Sequence, residues 1–305
     1  MTDIALLTDS RYTAEIAAPD DWYLGNILRD DGLLRAELAS RGLSSVRVDW
    51  ADPTVDWSAF RAAVFRTTWD YYDRAEEFAA FVERLQAQTY LINDFSTIVW
   101  NLDKHYLSDL EKLGLPIVPT RYIERDNDEP LLALLEATGW DEAIIKPCIS
   151  GGARHTHRVN RQTAVAIDRM LATVRAAEAF LLQPFQESIA TMGEDSLMLF
   201  GGRYSHAVRK IAKAGDFRVQ DDHGGRAIPH LASPEQIELA ERIVATARPG
   251  LPYARVDLVR DNTGGYAVME LELIEPELWI RTHPPSAALM AQAINDTLVT
   301  AGLRG

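Results

Sequence analysis

Two short segments carry the plainest chemistry. Ala254-Arg255-Val256-Asp257-Leu258 and Met269-Glu270-Leu271-Glu272 both read as strands, joined through the turn Asp261-Asn262-Thr263-Gly264-Gly265. Residues two apart on a strand face the same way, so Glu270 and Glu272 share a face. Asp257 can oppose them from the neighbouring strand. Three carboxylates on one face repel one another and are costly to bury unless a cation sits between them. Hard divalent cations such as Mg²⁺ take oxygen ligands of this kind and often bridge to substrate phosphates. Arg255 stands beside them as an anion-stabilising neighbour. The pattern predicts a Mg²⁺ site that works on ATP.

Further groups suit a phosphate-handling site, although each has an ordinary reading of its own. Lys146 ends an apolar strand, and Ser150-Gly151-Gly152-Ala153-Arg154 follows. A lysine beside a glycine turn can hold phosphate oxygens, with backbone N–H groups as further donors. The G-x-x-x-x-G-K-[ST] pattern is absent, so this is not a P-loop. Alone, Gly151-Gly152 is a turn and Lys146 a surface lysine. Phe180-Leu181-Leu182-Gln183-Pro184-Phe185 could link two lobes and offer backbone groups to an adenine edge, or simply be a core strand. Glu194 follows at a distance suited to a ribose contact; in isolation it is a solvated turn residue. Lys104 lies in Trp100-Asn101-Leu102-Asp103-Lys104-His105-Tyr106, a cluster unusual for plain packing, although Asn101 or Asp103 could be capping a helix.

Other chemistries find no support. His155 and His157 are two apart, but no histidine–cysteine spacing of zinc type follows. His283 falls in an exposed loop, Arg281-Thr282-His283-Pro284-Pro285. No G-x-S-x-G element is present, and Cys148 has no evident activating partner.

The elements that must position these groups follow from periodicity. Residues 4–7 form a buried strand, 24–41 a helix stopped by Gly42, and 45–50 and 62–66 further strands. Helix 75–86 and strand 90–93 complete an alternation that implies a parallel sheet covered by helices. Next come helix 106–113, an extended stretch at 116–123, helix 130–138, strand 143–146, strand 156–159, helix 163–177 and strand 180–185. Gly201-Gly202 between strands 196–200 and 203–210 is the strongest hairpin signal. Residues 214–228 read as a polar, glycine-rich mobile loop. Helix 234–248 starts at the N-cap Ser233. Strands 253–259 and 266–273 hold the acidic groups, and helix 286–301 ends the order. The expected class is α/β (α+β): an α/β domain at 1–103, a small lobe at 104–184 and a third lobe at 185–305.

Composition bounds the reading. With 305 residues, 47% hydrophobic and 25% charged, the chain has room for a large core and suits a soluble protein. A formal charge of −14, from 45 acidic and 31 basic residues, argues against nucleic acid as partner. A local cluster of Arg209, Lys210, Lys213 and Arg218 still allows an anionic substrate. One cysteine fits a reducing cytosol. No signal peptide or membrane-spanning run is evident, so the cytoplasm is the expected location.

The order of these pieces resembles the ATP-grasp superfamily, most closely its glutathione synthetase, D-alanine–D-alanine ligase and RimK-type branches, over residues 104–276. The resemblance implies ATP and Mg²⁺ as cofactors, with Lys104 and Lys146 on the phosphates and Gly151 and Gly152 in a loop closing over them. Gln183, Pro184, Phe185 and Gln186 would form the hinge that holds adenine, and Glu194 would bond ribose. Arg218, in loop 215–226, is similar to an arginine that contacts the transferring phosphoryl group. Arg255 would stabilise developing negative charge, and Asp257, Glu270 and Glu272 would hold the metal. Position 272 is usually Asn in this family, so Glu272 adds a negative charge.

The implied reaction phosphorylates a carboxylate, and an amine then attacks the acyl phosphate to form an amide. Arg66, at the end of a strand of the first unit, could hold a substrate carboxylate and Asp70 an ammonium. Glu275 could contact the amine. A small amino acid or derivative fits, including the ring-closing, D-cycloserine-forming type of antibiotic pathways. A kinase acting on a hydroxyl and a non-catalytic ATP-binding module are the alternatives. The expected partners are a small-molecule carboxylate and an amine, without nucleic acid or membrane; a homodimer is left open.

Overall fold

The computed structural model describes residues 2–125, 127–219 and 224–304. The chain begins with β1 (Thr2–Thr8), α1 (Trp22–Ser40), β2 (Ser45–Asp49), β3 (Phe60–Thr67), α2 (Ala75–Gln86) and β4 (Tyr90–Ile92). The four strands make a parallel sheet in the order β2-β1-β3-β4. Alternation along β1 explains its two covers. Ile4 and Leu6 pack with Leu34 and Leu38 of α1. Ala5 and Leu7 pack in a second cluster with Phe78, Phe81 and Leu85 of α2. Helices α3 (Phe95–Leu102) and α4 (Tyr106–Lys112) lead out of this unit.

The middle of the chain adds β5 (Arg121–Ile123), α5 (Leu131–Thr138), β6 (Glu142–Pro147), β7 (His157–Asn160), α6 (Ala164–Ala177) and β8 (Phe180–Pro184). Its antiparallel sheet runs β5-β8-β6-β7. Leu134 and Leu135 of α5 and Ile167 and Leu171 of α6 cover it through Ile145, Val159 and Leu182. Ile144, Lys146 and Gln183 line a cavity instead.

The last part holds α7 (Glu187–Thr191), β9 (Glu194–Phe200), β10 (Arg203–Ile211), β11 (Arg226–His230), α8 (Pro234–Ala247), β12 (Tyr253–Arg260), β13 (Tyr266–Glu272) and α9 (Ser286–Thr300). Five antiparallel strands run β11-β10-β9-β12-β13. Gly201 and Gly202 have φ of 56° and 76°, the positive angles that a two-residue hairpin turn demands. Ser233 caps α8 in a reciprocal capping box with Gln236. Leu197, Leu199 and Val256 face α8 through Leu239, Ile243 and Val244. Met198, Phe200 and Tyr253 face the other way, in the cluster that holds Met290, Ile294 and Leu298 of α9 together with Leu34 and Leu38 of α1. The last helix thus returns to pack on the first unit.

Three elements differ from the sequence reading. Residues 95–102 form a helix capped by Asp94, whose Oδ1 accepts from Thr97 N at 2.8 Å. Asn101 lies inside this helix, and Asp103 is the residue that ends it, its Oδ1 accepting from His105 N at 3.0 Å. The short helix α7 was not anticipated, because five residues carry too little periodicity to register. Strand β11 occupies part of the segment read as a mobile loop; residues 220–223 of that segment lie outside the described residues.

Candidate active site

A cavity of about 300 Å³ is lined by residues of all three sheets' surroundings, from Arg11 to Trp279. Its charged floor is one face of the five-stranded sheet. Antiparallel register sets Asp257 opposite Glu270, Arg255 opposite Glu272 and Lys210 opposite Glu194. Arg255 donates to Asp257 from Nε to Oδ1 and from Nη2 to Oδ2, both at 2.9 Å, and also pairs with Glu272. Lys210 Nζ lies 2.8 Å from Asp257 Oδ2 and also pairs with Glu194. Lys146 Nζ lies 2.7 Å from Glu270 Oε1, and Lys104 Nζ 3.9 Å from the same oxygen. Four acids are thus interleaved with four bases. The carboxylates expected to need a metal for compensation are already compensated by side chains.

Burial and partners set the ionisation of these groups. Burial opposes charge on Asp257, but Arg255 and Lys210 hold its carboxyl well below the usual range. Burial also opposes charge on Glu270, yet Lys104 and Lys146 hold it at about 2. Glu272 goes the other way: burial pushes it to about 7, with Arg255 resisting. Glu275 is pushed to about 8 by burial and by Glu272.

Most of the residues singled out by sequence come together here. Lys104, Lys146, Gly151, Gly152, Gln183, Pro184, Gln186, Glu194, Arg218, Arg255, Glu270, Glu272 and Glu275 all line the cavity. Lys104 Nζ additionally donates to Ser150 O at 2.6 Å, which ties it to the glycine turn. Arg218 is held by Asp216, with Nη2 2.7 Å from Oδ2. Glu194 is the buried first residue of β9 rather than a solvated turn residue.

Four residues sit elsewhere. Asp257 is not among the lining residues; its side chain is only 1% exposed, whereas those of Glu270 and Glu272 are 23% and 30% exposed. The two glutamates could meet a divalent cation directly, with Asp257 behind them orienting Arg255 and Lys210. Phe185 turns from the cavity, its ring lying 3.8 Å from the Arg158 guanidinium carbon. Its backbone N–H donates to Glu142 O and its carbonyl accepts from Asn262 Nδ2, so neither faces an adenine edge. Arg66 is 3% exposed and its Nε donates to Asp31 Oδ1 at 3.0 Å. Asp31 also takes Arg47 Nε at 2.9 Å, so Arg66 belongs to a buried ion triad, not a substrate pocket. Asp70 accepts from Trp50 Nε1 at 2.7 Å and from Arg74 at 2.8 Å, which spends its charge within the first unit.

Sequence reasoning missed several cavity residues. Lys210 was noted only as part of a basic cluster. Tyr12, Tyr23 and Trp69 form an aromatic wall, with ring centroids 5.8 to 6.0 Å apart. Trp69 is fixed by its Nε1 donating to Glu275 O at 3.0 Å. Asn101 grips β13 and its exit, donating to Leu271 O and accepting from Leu273 N, both at 2.8 Å. Away from the acidic floor, Asp103, His105 and Cys148 bring possible metal-ligating atoms within 4.8 Å of one another. His105 already engages Asp103 through Nδ1 at 2.6 Å and Glu124 through Nε2 at 3.1 Å. Asp103 and Glu124 thus occupy both ring nitrogens and raise the imidazole's pKa against burial.

Comparison with known proteins agrees with this geometry. The N-terminal domain of D-cycloserine synthetase DcsG matches residues 4–93 as a family model. The ATP-grasp domain of prokaryotic glutathione synthetase matches residues 113–274. The chain belongs to the ATP-grasp superfamily of ligases. It is 34% identical to the cycloserine biosynthesis protein DcsG of Streptomyces lavendulae, over 84% of this chain and 90% of that one. A crystal structure of D-cycloserine synthetase DcsG superposes with a TM-score of 0.83 and 32% identity, covering 97% of this chain and 99% of that one. A RimK-domain ATP-grasp protein from Sphaerobacter thermophilus shares the fold at a TM-score of 0.67 and 20% identity, covering 96% and 99% of the two chains. The protein is therefore an ATP-dependent ligase that joins a carboxylate to an amine on small-molecule substrates, with ATP and a divalent metal. Among the described residues, no helix is long and apolar enough to cross a membrane.

Proposed function

We propose that this ligase closes a small ring within one amino-acid derivative, as in D-cycloserine formation, using Mg²⁺ and an acyl phosphate. The observation that carries this reading is one shared cavity. The first unit supplies an aromatic wall and the grasp sheets supply phosphate-side cations and carboxylates, so substrate and nucleotide would meet without a channel between them. Similarity to DcsG extends over both parts of the chain.

Lys104 and Lys146 would exchange Glu270 for phosphate oxygens when ATP enters, which frees Glu270 for the cation at that moment. Gly151 and Gly152 close over the phosphates, Gln183, Pro184 and Gln186 border the adenine, and Glu194 reaches the ribose. Glu270 and Glu272 hold Mg²⁺, with Asp257 behind them. Bound Mg²⁺ would supply charge neutralisation across the phosphates. A substrate carboxylate oxygen takes the γ-phosphoryl group and ADP departs. The amine then bonds the acyl carbon as the C–O bond to phosphate breaks, and its proton leaves with inorganic phosphate. Arg255 and Arg218 stabilise the charge that develops on oxygen. Glu275, near the aromatic wall, contacts the amine function. Division of the chain at 103/104 and 184/185, and a cytoplasmic location, belong to the same proposal.

ADP release with Mg-ATP, measured against amino acids and O-substituted serines singly and in pairs, tests it. Release with a single compound, with product mass lower by one water, supports ring closure. Release only with pairs, or a product heavier by phosphate, overturns it.

A further inference from the structure

We infer that Tyr72, a residue of the first unit, is a positioning residue for the glycine loop of the nucleotide site. The inference rests on the reading of Gly151-Gly152 as the phosphate loop. The loop leaves β6, yet it is seated on the first unit. A Cβ built on Gly151 would lie 2.6 Å from Tyr72 Cε1 and 2.7 Å from its Cδ1. A Cβ on Gly152 would lie 3.2 Å from the Tyr72 hydroxyl oxygen. Two residues further on, Arg154 Nε donates to Asp73 Oδ1 at 2.9 Å, while its other nitrogens pair with Glu178 at 2.8 Å.

The two glycines are glycine for different reasons. Gly152 has φ of 55°, a conformation that disfavours any side chain. Gly151 is not in that region, so its backbone would accept alanine. What excludes a side chain at 151 is the Tyr72 ring. A methyl group there forces either the ring or the loop to shift. Tyr72 also lines the cavity beside Tyr23 and Trp69. The loop that covers ATP phosphates therefore closes against the wall that faces the other substrate. Correct loop placement then depends on the first unit, and a grasp domain alone lacks half of the seat.

The test is a double-mutant cycle with G151A, Y72A and the pair, on the full chain. The readouts are Kd for a fluorescent ATP analogue with Mg²⁺, and KM for ATP and kcat in ADP release. In the presence of Tyr72, G151A is expected to weaken nucleotide binding tenfold or more. In the Y72A background the same change should cost less than twofold, because the vacated space accepts the methyl group. Y72A alone should raise KM for ATP. An equal loss from G151A with and without the Tyr72 ring overturns the inference. The thermal midpoint of each variant separates misfolding from loop displacement, and Y72L, which removes the ring but keeps apolar bulk, takes the place of Y72A if that variant does not fold: the G151A penalty should shrink there too, and an undiminished penalty overturns the inference. The Kd arm needs no carboxylate or amine substrate, so failure of the ring-closure reading leaves this result interpretable.

Discussion

Lys210 reaches past β9 to place its ammonium 2.8 Å from Asp257 Oδ2 on β12, while also pairing with Glu194. All three side chains are at least nine-tenths buried. Removing the cation leaves Glu194 without a base and Asp257 with Arg255 alone. Lys210→Met should cost about 3–5 kcal/mol in denaturant unfolding. Adding Glu194→Gln should recover part of it. A K210M variant as stable as the parent would refute the claim that the floor is held by alternating charge.

Glu270 is the carboxylate shared by Lys104 and Lys146, and it faces the cavity. Glu270→Ala should reduce ADP release at least roughly a hundredfold, a few kcal/mol of lost charge stabilisation. Its thermal midpoint should fall as well, because Lys104 and Lys146 lose the carboxylate they share, so release is compared per folded enzyme. Chelation of divalent cations should silence the parent, and Mg²⁺ should restore it. Retained turnover in E270A would sink its assignment to the metal.

Glu275 offers a pH-linked test. Burial raises its carboxyl to about 8, above the ordinary 4.5, so at pH 7 the free enzyme holds the proton. Binding a substrate ammonium there favours the carboxylate and expels that proton. Calorimetry at pH 7 in buffers of different ionisation enthalpy should therefore report close to one proton released on substrate binding. Release should fade as pH rises through 8, and Glu275→Gln should abolish it. Binding without proton release in the parent places the ammonium elsewhere.

Arg66 separates stability from recognition. Its Nε and that of Arg47 share the buried carboxylate of Asp31. Arg66→Met should destabilise by on the order of 3 kcal/mol, with Asp31→Ala costing more because it strands two guanidinium groups. Neither should change KM for the carboxylate substrate in the folded fraction. A raised KM in R66M at unchanged stability would return Arg66 to the pocket.

The acidic centre was legible because it depends on one strand pair. Glu270 and Glu272 are two apart, and β12 and β13 are joined by a short turn, so period and proximity were enough. Lys210 was not legible, for a reason of register. A hairpin turning at Gly201-Gly202 with regular pairing sets Arg209 opposite Glu194. The irregularity between Tyr204 and His206 shifts the partner to Lys210. A single extra residue thus decides which cation enters the floor, and sequence alone does not announce it. Arg66 failed for the converse reason. Its position at a strand end suited ligand binding, but its partner Asp31 lies on α1, and no local pattern links the two. The aromatic wall draws Tyr12, Tyr23 and Trp69 from a short 3-10 turn, a helix and a loop, so only the tertiary fold assembles it.

Helix α9 shares one apolar cluster with α1 and β1 at the opposite end of the chain. During synthesis, β1 to β4 leave the ribosome long before the helix that completes the cover over Ile4, Leu6 and Leu34. The first unit must wait, with a greasy face uncovered, until almost everything else has been translated. Deleting α9, or charging its buried face as in Ile294→Asp, should therefore show first as poor yield of intact N-terminal sheet and recruitment of chaperones, before any effect on the chemistry can be read.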